Sequence, residues 1–169
     1  MTNPNDNLYP VEVSSPACLM HEADDAYMGY AGKDELIAFL NVLLEAEHAV
    51  LRVILESARA ADSGPIAELV AAIQQDEAYF CAMLIRHIKA LGAIPSPAVD
   101  AFHEKAVAVP DLRERIAFFM RCQGTIVRKL QEILPRVRDN QLYADLSNML
   151  RSHEANIVLA STLWSCPRC

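Results

Sequence analysis

The 169-residue chain has few glycines, no long basic run and no apolar stretch of membrane length. Its 5 glycines are too few for an all-β sandwich or barrel, so we expect a single helical domain. No cluster of five or more basic residues occurs and the formal charge is -7, which argues against nucleic acid and anionic membranes as partners. The longest apolar stretches, such as residues 36–44, fall short of the ~20 residues that span a bilayer.

A secretory signal is also lacking. Residues 1–15 are polar and rich in Pro and Asn, without a basic region followed by an apolar one, so we expect a cytoplasmic protein. The 5 cysteines are then expected to be thiols or metal ligands rather than a disulfide framework.

The chain does have four apolar stripes with helical periodicity, and 53% of its residues are hydrophobic. They predict helices over about 34–61, with Asp34 as the N-cap, over 65–91, over 112–134 and around a stripe at 142–164. Two of the connections are tight, whereas the long one between the second and third helices can run back along the bundle and hold a short helix. This order of connections is typical of an all-α, ferritin-like four-helix bundle.

The same pattern predicts the organisation of the chain. Residues 1–32 form an N-terminal tail that packs on the bundle, residues 33–164 form the bundle, and residues 165–169 form a C-terminal Cys-x-x-Cys tail.

One polar residue interrupts each apolar stripe near its midpoint: Glu47, Glu77, Gln123 and His153. At 100° per residue, each lies about 20° from the first apolar residue of its own stripe, in the middle of the apolar face. Because the midpoints of bundled helices lie at similar heights, we expect these side chains to meet in one layer. The spacing within each helix pair is 30 residues and the offset between pairs is 76, which predicts two hairpins related by a pseudo-twofold axis.

Two carboxylates and an imidazole in an apolar layer need compensation, since burying even one unpaired carboxylate costs several kcal/mol. A divalent metal bound by Glu47, Glu77 and His153 would provide it, with Gln123 as a fourth ligand or as an orienting hydrogen-bond donor. A metal-free network would also provide it, with protonated His153 facing one Glu and Gln123 bridging to the other. The sequence leaves both interpretations open.

A second candidate metal site lies near the chain ends. Cys18-x-x-His21 and Cys166-x-x-Cys169 both have the spacing of zinc ligands, and together they would complete a tetrahedral structural zinc site. The start of the first helix and the end of the fourth lie at the same end of such a bundle, which permits the two pairs to meet. The C-terminal pair could instead be a redox pair or two simple thiols.

Six short stretches carry a resemblance to known proteins. They are Ala17-Cys18-Leu19-Met20-His21-Glu22, Asp76-Glu77-Ala78, Cys81-Ala82-Met83-Leu84, Pro95-Ser96-Pro97, Val127-Arg128-Lys129-Leu130 and His153-Glu154-Ala155-Asn156-Ile157. Through them the chain resembles the ferritin-like superfamily and, over nearly its whole length, a bacterial ferritin-like family of unknown function.

The di-iron members of that superfamily have a Glu on each of two helices and Glu-x-x-His on each of the other two. By this resemblance, Glu47 matches the first Glu and Glu77 matches the Glu of the first Glu-x-x-His. Phe80, however, stands where that motif has His.

The second helix pair departs further from the di-iron pattern. Gln123 replaces the second lone Glu, and His153 and Asn156 stand at the Glu and His of the second motif. Two iron ions would leave excess positive charge in a dry core, so we expect one iron or manganese ion and a mononuclear non-haem oxidoreductase acting on a small molecule. The alternative is a non-catalytic scaffold or binding protein with a metal-free polar layer and a structural Cys/His zinc site. The family analogy also implies a homodimer.

Overall fold

The computed structural model describes residues 25, 27–60 and 64–165, and within them the chain forms five α-helices and no strand. The helices are α1 (Lys33–Ala60), α2 (Pro65–Ala90), the short α3 (Phe102–Val107), α4 (Leu112–Ile133) and α5 (Asn140–Ser165). A 3-10 turn over Leu134–Arg136 follows α4. The predicted all-α class is confirmed, and α3 is the short helix expected in the long connection. None of the described helices is long and apolar enough to cross a bilayer.

The helix ends follow from local chemistry. Gly64, with φ +91°, precedes Pro65 at the first position of α2, where a missing backbone N–H costs nothing. Asp111 caps α4, because its carboxylate accepts a hydrogen bond of 2.9 Å from the backbone N–H of Glu114. The prediction that Asp34 caps α1 is wrong, since α1 begins at Lys33 and Asp34 lies in its first turn.

The four long helices enclose one interior. α1 packs on α2, α2 on α5, α5 on α4 and α4 on α1, whereas the diagonal pairs α1/α5 and α2/α4 have no Cα atoms within 8 Å over the described residues. The α1/α4 contact is the loosest of the four, and α3 lies against both of these helices. Side chains that meet at the centre must therefore reach in from all four helices.

The connection between α2 and α4 is attached to α1. The backbone N–H of Ser96 donates to Asn41 Oδ1 at 2.7 Å, and the N–H of Asp100 donates to the carbonyl oxygen of Glu45 at 3.1 Å. These hydrogen bonds fix the connection along α1 and place α3 at the α1/α4 interface.

The apolar core is divided into two clusters, one on each side of the helix midpoints. The larger cluster includes Leu40, Leu44, Leu84, Leu130 and Leu146, and the smaller one includes Ile54, Val70, Ile73, Ile116 and Phe119. Between them along every long helix lies a polar residue, so the core is interrupted at one height.

Candidate metal centre

The polar residues between the two clusters are Glu47, Glu77, Gln123 and His153, one from each long helix, and all have 0% of their surface exposed. Each lies about three turns into its apolar stripe, and because an α-helix repeats every ~3.6 residues, the side chain points inward like its apolar neighbours. The structure brings the four together at the centre, as the periodicity predicts. These four residues form the polar layer.

Two contacts cross this layer along its diagonals. Gln123 Nε2 donates to Glu77 Oε1 at 2.7 Å, linking α4 to α2. His153 Nε2 lies 3.3 Å from Glu47 Oε1, linking α5 to α1. The first is a normal hydrogen bond, whereas the second is longer than the usual 2.7–3.2 Å range for a nitrogen donor. The offset of 76 residues relates Glu47 to Gln123 and Glu77 to His153, so the two contacts join equivalent sequence positions of the two hairpins.

Half of the polar atoms in the layer lack partners. Among the described residues, Glu47 Oε2, Glu77 Oε2, Gln123 Oε1 and His153 Nδ1 are buried without a hydrogen bond. A buried group left in this way costs about 1–3 kcal/mol, and more when it is charged. The protein atoms alone therefore leave the layer under-satisfied, and an added proton or cation would relieve it.

The donor set fits one divalent cation. Glu47, Glu77 and His153 each offer a ligand atom, and these three atoms all lie within 4.8 Å of one another. Bonds of about 2.1 Å place opposite ligands about 4.2 Å apart, so a small inward movement closes the group around an ion. Two carboxylates and a neutral imidazole carry two negative charges, which one divalent cation neutralises.

Phe80 and Asn156, which stand where the di-iron motifs have His, make other contacts. The Phe80 ring packs edge-to-face on His153, with ring centroids 5.5 Å apart and planes at 87°. Asn156 Nδ2 donates to Asp76 Oδ2 at 3.1 Å instead of contacting the layer. Neither side chain therefore joins the group of Glu47, Glu77 and His153 that could hold a metal ion.

A polar cluster that the apolar periodicity does not reveal lies behind the layer, at the α2/α5 interface. Asp76 Oδ2 accepts hydrogen bonds from both Ser152 Oγ and Asn156 Nδ2. Asp76 and Ser152 are 76 residues apart, which is the offset between the two hairpins. They therefore stand at equivalent positions of the two hairpins, but the offset alone does not predict which equivalent residues touch.

The two cysteines on described helices are not placed as ligands. Cys81 is buried, and burial together with the negative charge of Glu47 raises the pKa of its thiol to about 12. Cys122 is half-buried, and burial also raises the pKa of its thiol. Both remain protonated at neutral pH, in accord with a packing role. The predicted terminal ligands Cys18, His21, Cys166 and Cys169 all lie outside the described residues.

The fold and the polar layer together define an all-helical protein with a buried Glu/Glu/His group that could hold a metal ion. Residues 34–162 match a family described as a domain of unknown function (DUF6306), and the chain belongs to this family. The matched span contains the whole polar layer and neither terminal Cys/His pair. No curated protein and no solved structure matches the chain.

Proposed function

We propose that the polar layer binds a single iron or manganese ion through Glu47, Glu77 and His153, and that the protein is a mononuclear non-haem oxidoreductase. The observation that carries this proposal is that Glu47, Glu77 and His153 each offer a ligand atom within 4.8 Å of the others in a fully buried layer, where, in the described part of the chain, each also keeps one polar atom without a hydrogen bond. Alternating helix contacts in the order α1, α2, α5, α4, with one long connection between two hairpins, support a ferritin-like four-helix bundle as the scaffold.

The chain's own residues would divide the work at the centre. Gln123 holds Glu77 through Oε1, which leaves Glu77 Oε2 free to bind an ion. His153 presents Nε2 toward Glu47, and the Phe80 ring fixes the plane of the imidazole. A bound iron or manganese ion would supply Lewis acidity and one-electron redox chemistry there. The two apolar clusters exclude water above and below it.

The competing proposal is a metal-free layer in a non-catalytic scaffold or binding protein. Its support is that the layer residues already pair, with Gln123 on Glu77 and His153 facing Glu47. Neutrality would then require a proton on His153 and another on Glu77, and the layer would serve to set the register of the helices. This scaffold would carry its metal, as zinc, at the terminal Cys/His pairs.

Elemental analysis of anaerobically purified protein separates the two proposals. The metal centre predicts one iron or manganese ion per chain, lost in Glu77→Ala and retained in Glu154→Gln, which alters an exposed carboxylate on α5. Folded protein that stays free of iron and manganese after attempted reconstitution would refute the metal centre. Zinc that is lost only in Cys18→Ser would support the scaffold and its terminal site.

A further inference from the structure

The polar layer lies between two helix interfaces that differ in how tightly they are packed, α2/α5 and α1/α4. On the α2/α5 side, Asp76 and Ser152 are equivalent residues that hydrogen-bond to each other and seal the interface. On the α1/α4 side, helix contact is looser and a cavity of about 190 Å³ lies between the helices. The layer therefore lies between a hydrogen-bonded α2/α5 interface on one side and an α1/α4 interface with a cavity on the other.

The cavity lies at the height of the layer. Ala46 and Cys122 line it and directly precede the layer residues Glu47 and Gln123. Val50 and Ile126 also line it, one turn further along the same helices. Both pairs are separated by the offset of 76, so equivalent positions of the two hairpins line the cavity, next in sequence to layer residues that do not line it themselves.

The outer wall of the cavity comes from the long connection. Phe102 of α3 lines it and stacks on Phe118 of α4, with ring centroids 5.2 Å apart. Asp100 also lines it, and its N–H donates to the carbonyl oxygen of Glu45. The wall is held to both α1 and α4, so the cavity is preformed, as small-molecule pockets usually are.

We propose that this cavity, which we call the α1/α4 pocket, is the substrate pocket of the metal centre and takes a small, uncharged, mostly apolar molecule. The proposal rests on the metal centre proposed above. Leu43, Val50, Ile126 and Phe102 give the pocket an apolar lining. Its exposed residues Asp100 and Lys129 carry opposite charges, which favours no net charge on the ligand. An apolar cavity of about 150 Å³ binds benzene, so 190 Å³ suits a molecule of slightly larger size.

The pocket is probed with fluorobenzene, and its binding to the metal-free protein is monitored by fluorine NMR. We expect saturable binding that weakens at least tenfold in Ala46→Phe and in Cys122→Phe, which fill the pocket from α1 and from α4. The matched control is Ala117→Phe, which fills a different apolar cavity, of about 260 Å³, between α4 and α5 and should leave binding unchanged. Absent binding, or binding that all three variants leave unchanged, would overturn the proposal.

A second measurement tests whether the pocket adjoins the metal centre. With Mn²⁺ bound, as verified by elemental analysis, the relaxation of bound fluorobenzene should be strongly enhanced, and because the enhancement falls with the sixth power of distance, its size should place the fluorine nucleus next to the polar layer. A sharp signal in protein that holds Mn²⁺ would overturn the assignment of the pocket to the metal centre. Failure of the protein to bind either Mn²⁺ or Fe²⁺ would instead refute the metal centre, while the pocket would still be decided by the comparison of variants.

Discussion

Replacing Glu77 with Gln probes the proposed centre with little change in shape. The variant keeps an oxygen that can accept the hydrogen bond from Gln123 Nε2 but loses the charge that an ion needs. A ligand at 100 times its Kd stabilises the folded state by about 2.7 kcal/mol. In a protein of this size, each kcal/mol shifts Tm by about 2–4 °C. Manganese at that excess should therefore raise the Tm of the wild type by about 5–10 °C, and that of Glu77→Gln hardly at all.

The metal-free proteins provide an independent comparison. Glu77 Oε2 is buried and unpartnered, so removing the negative charge removes a desolvation cost of about 1–3 kcal/mol or more. Without manganese, Glu77→Gln should melt no lower than the wild type in differential scanning calorimetry. Glu154→Gln serves as the control and should retain the full shift, because Glu154 is exposed and accepts a hydrogen bond from Gln131, outside the polar layer. A full manganese shift in Glu77→Gln, or none in the wild type, would refute the reasoning.

Three further predictions concern the scaffold. Phe80→Ala should lower the free energy of unfolding in urea by about 3–5 kcal/mol, because Phe80 is fully buried between the layer and the larger cluster. A loss below about 1 kcal/mol would contradict this packing role. Asp111→Ala should lose about 1 kcal/mol of the same free energy and Asp111→Asn much less, since Asn also caps; equal losses would argue against the cap. Burial of Asp145 raises the pKa of its carboxyl group, but two other effects outweigh it. A hydrogen bond of 2.7 Å from His87 and nearby positive charge lower this pKa below the ordinary 3.8. This pair should therefore stabilise the folded state above about pH 3.8, and its contribution should be lost as the pH falls through the lowered pKa. Acid titrations followed by circular dichroism should show this loss in the wild type and not in Asp145→Asn.

The helices and the polar layer were predictable because both depend on a single period. Glu47 and His153 fall on apolar faces at 100° per residue, and any side chain on such a face must enter the core. Which residues contact one another depends on rotation and spacing between helices, which periodicity does not contain. The hydrogen bond from Asn156 to Asp76 and the cavity between α1 and α4 are therefore revealed only by the folded structure. The N-cap position before Lys33 lies two residues ahead of Asp34, because a helix end depends on local backbone hydrogen bonds.

The unequal chemistry of the two hairpins determines how much charge the interior can hold. α1 and α2 contribute carboxylates, whereas α4 and α5 place the amide of Gln123 and the imidazole of His153 at the equivalent positions. Four carboxylates would require two divalent ions for neutrality, but two carboxylates require only one. The second hairpin thus repeats the long helices of the first, whereas it does not repeat the two negative charges in the layer. The interfaces differ as well, since Asp76 and Ser152 hydrogen-bond between α2 and α5, whereas a cavity lies between α1 and α4. An ion held in the layer would therefore be approached through the α1/α4 pocket, with His153 and Glu77 behind it on the sealed side.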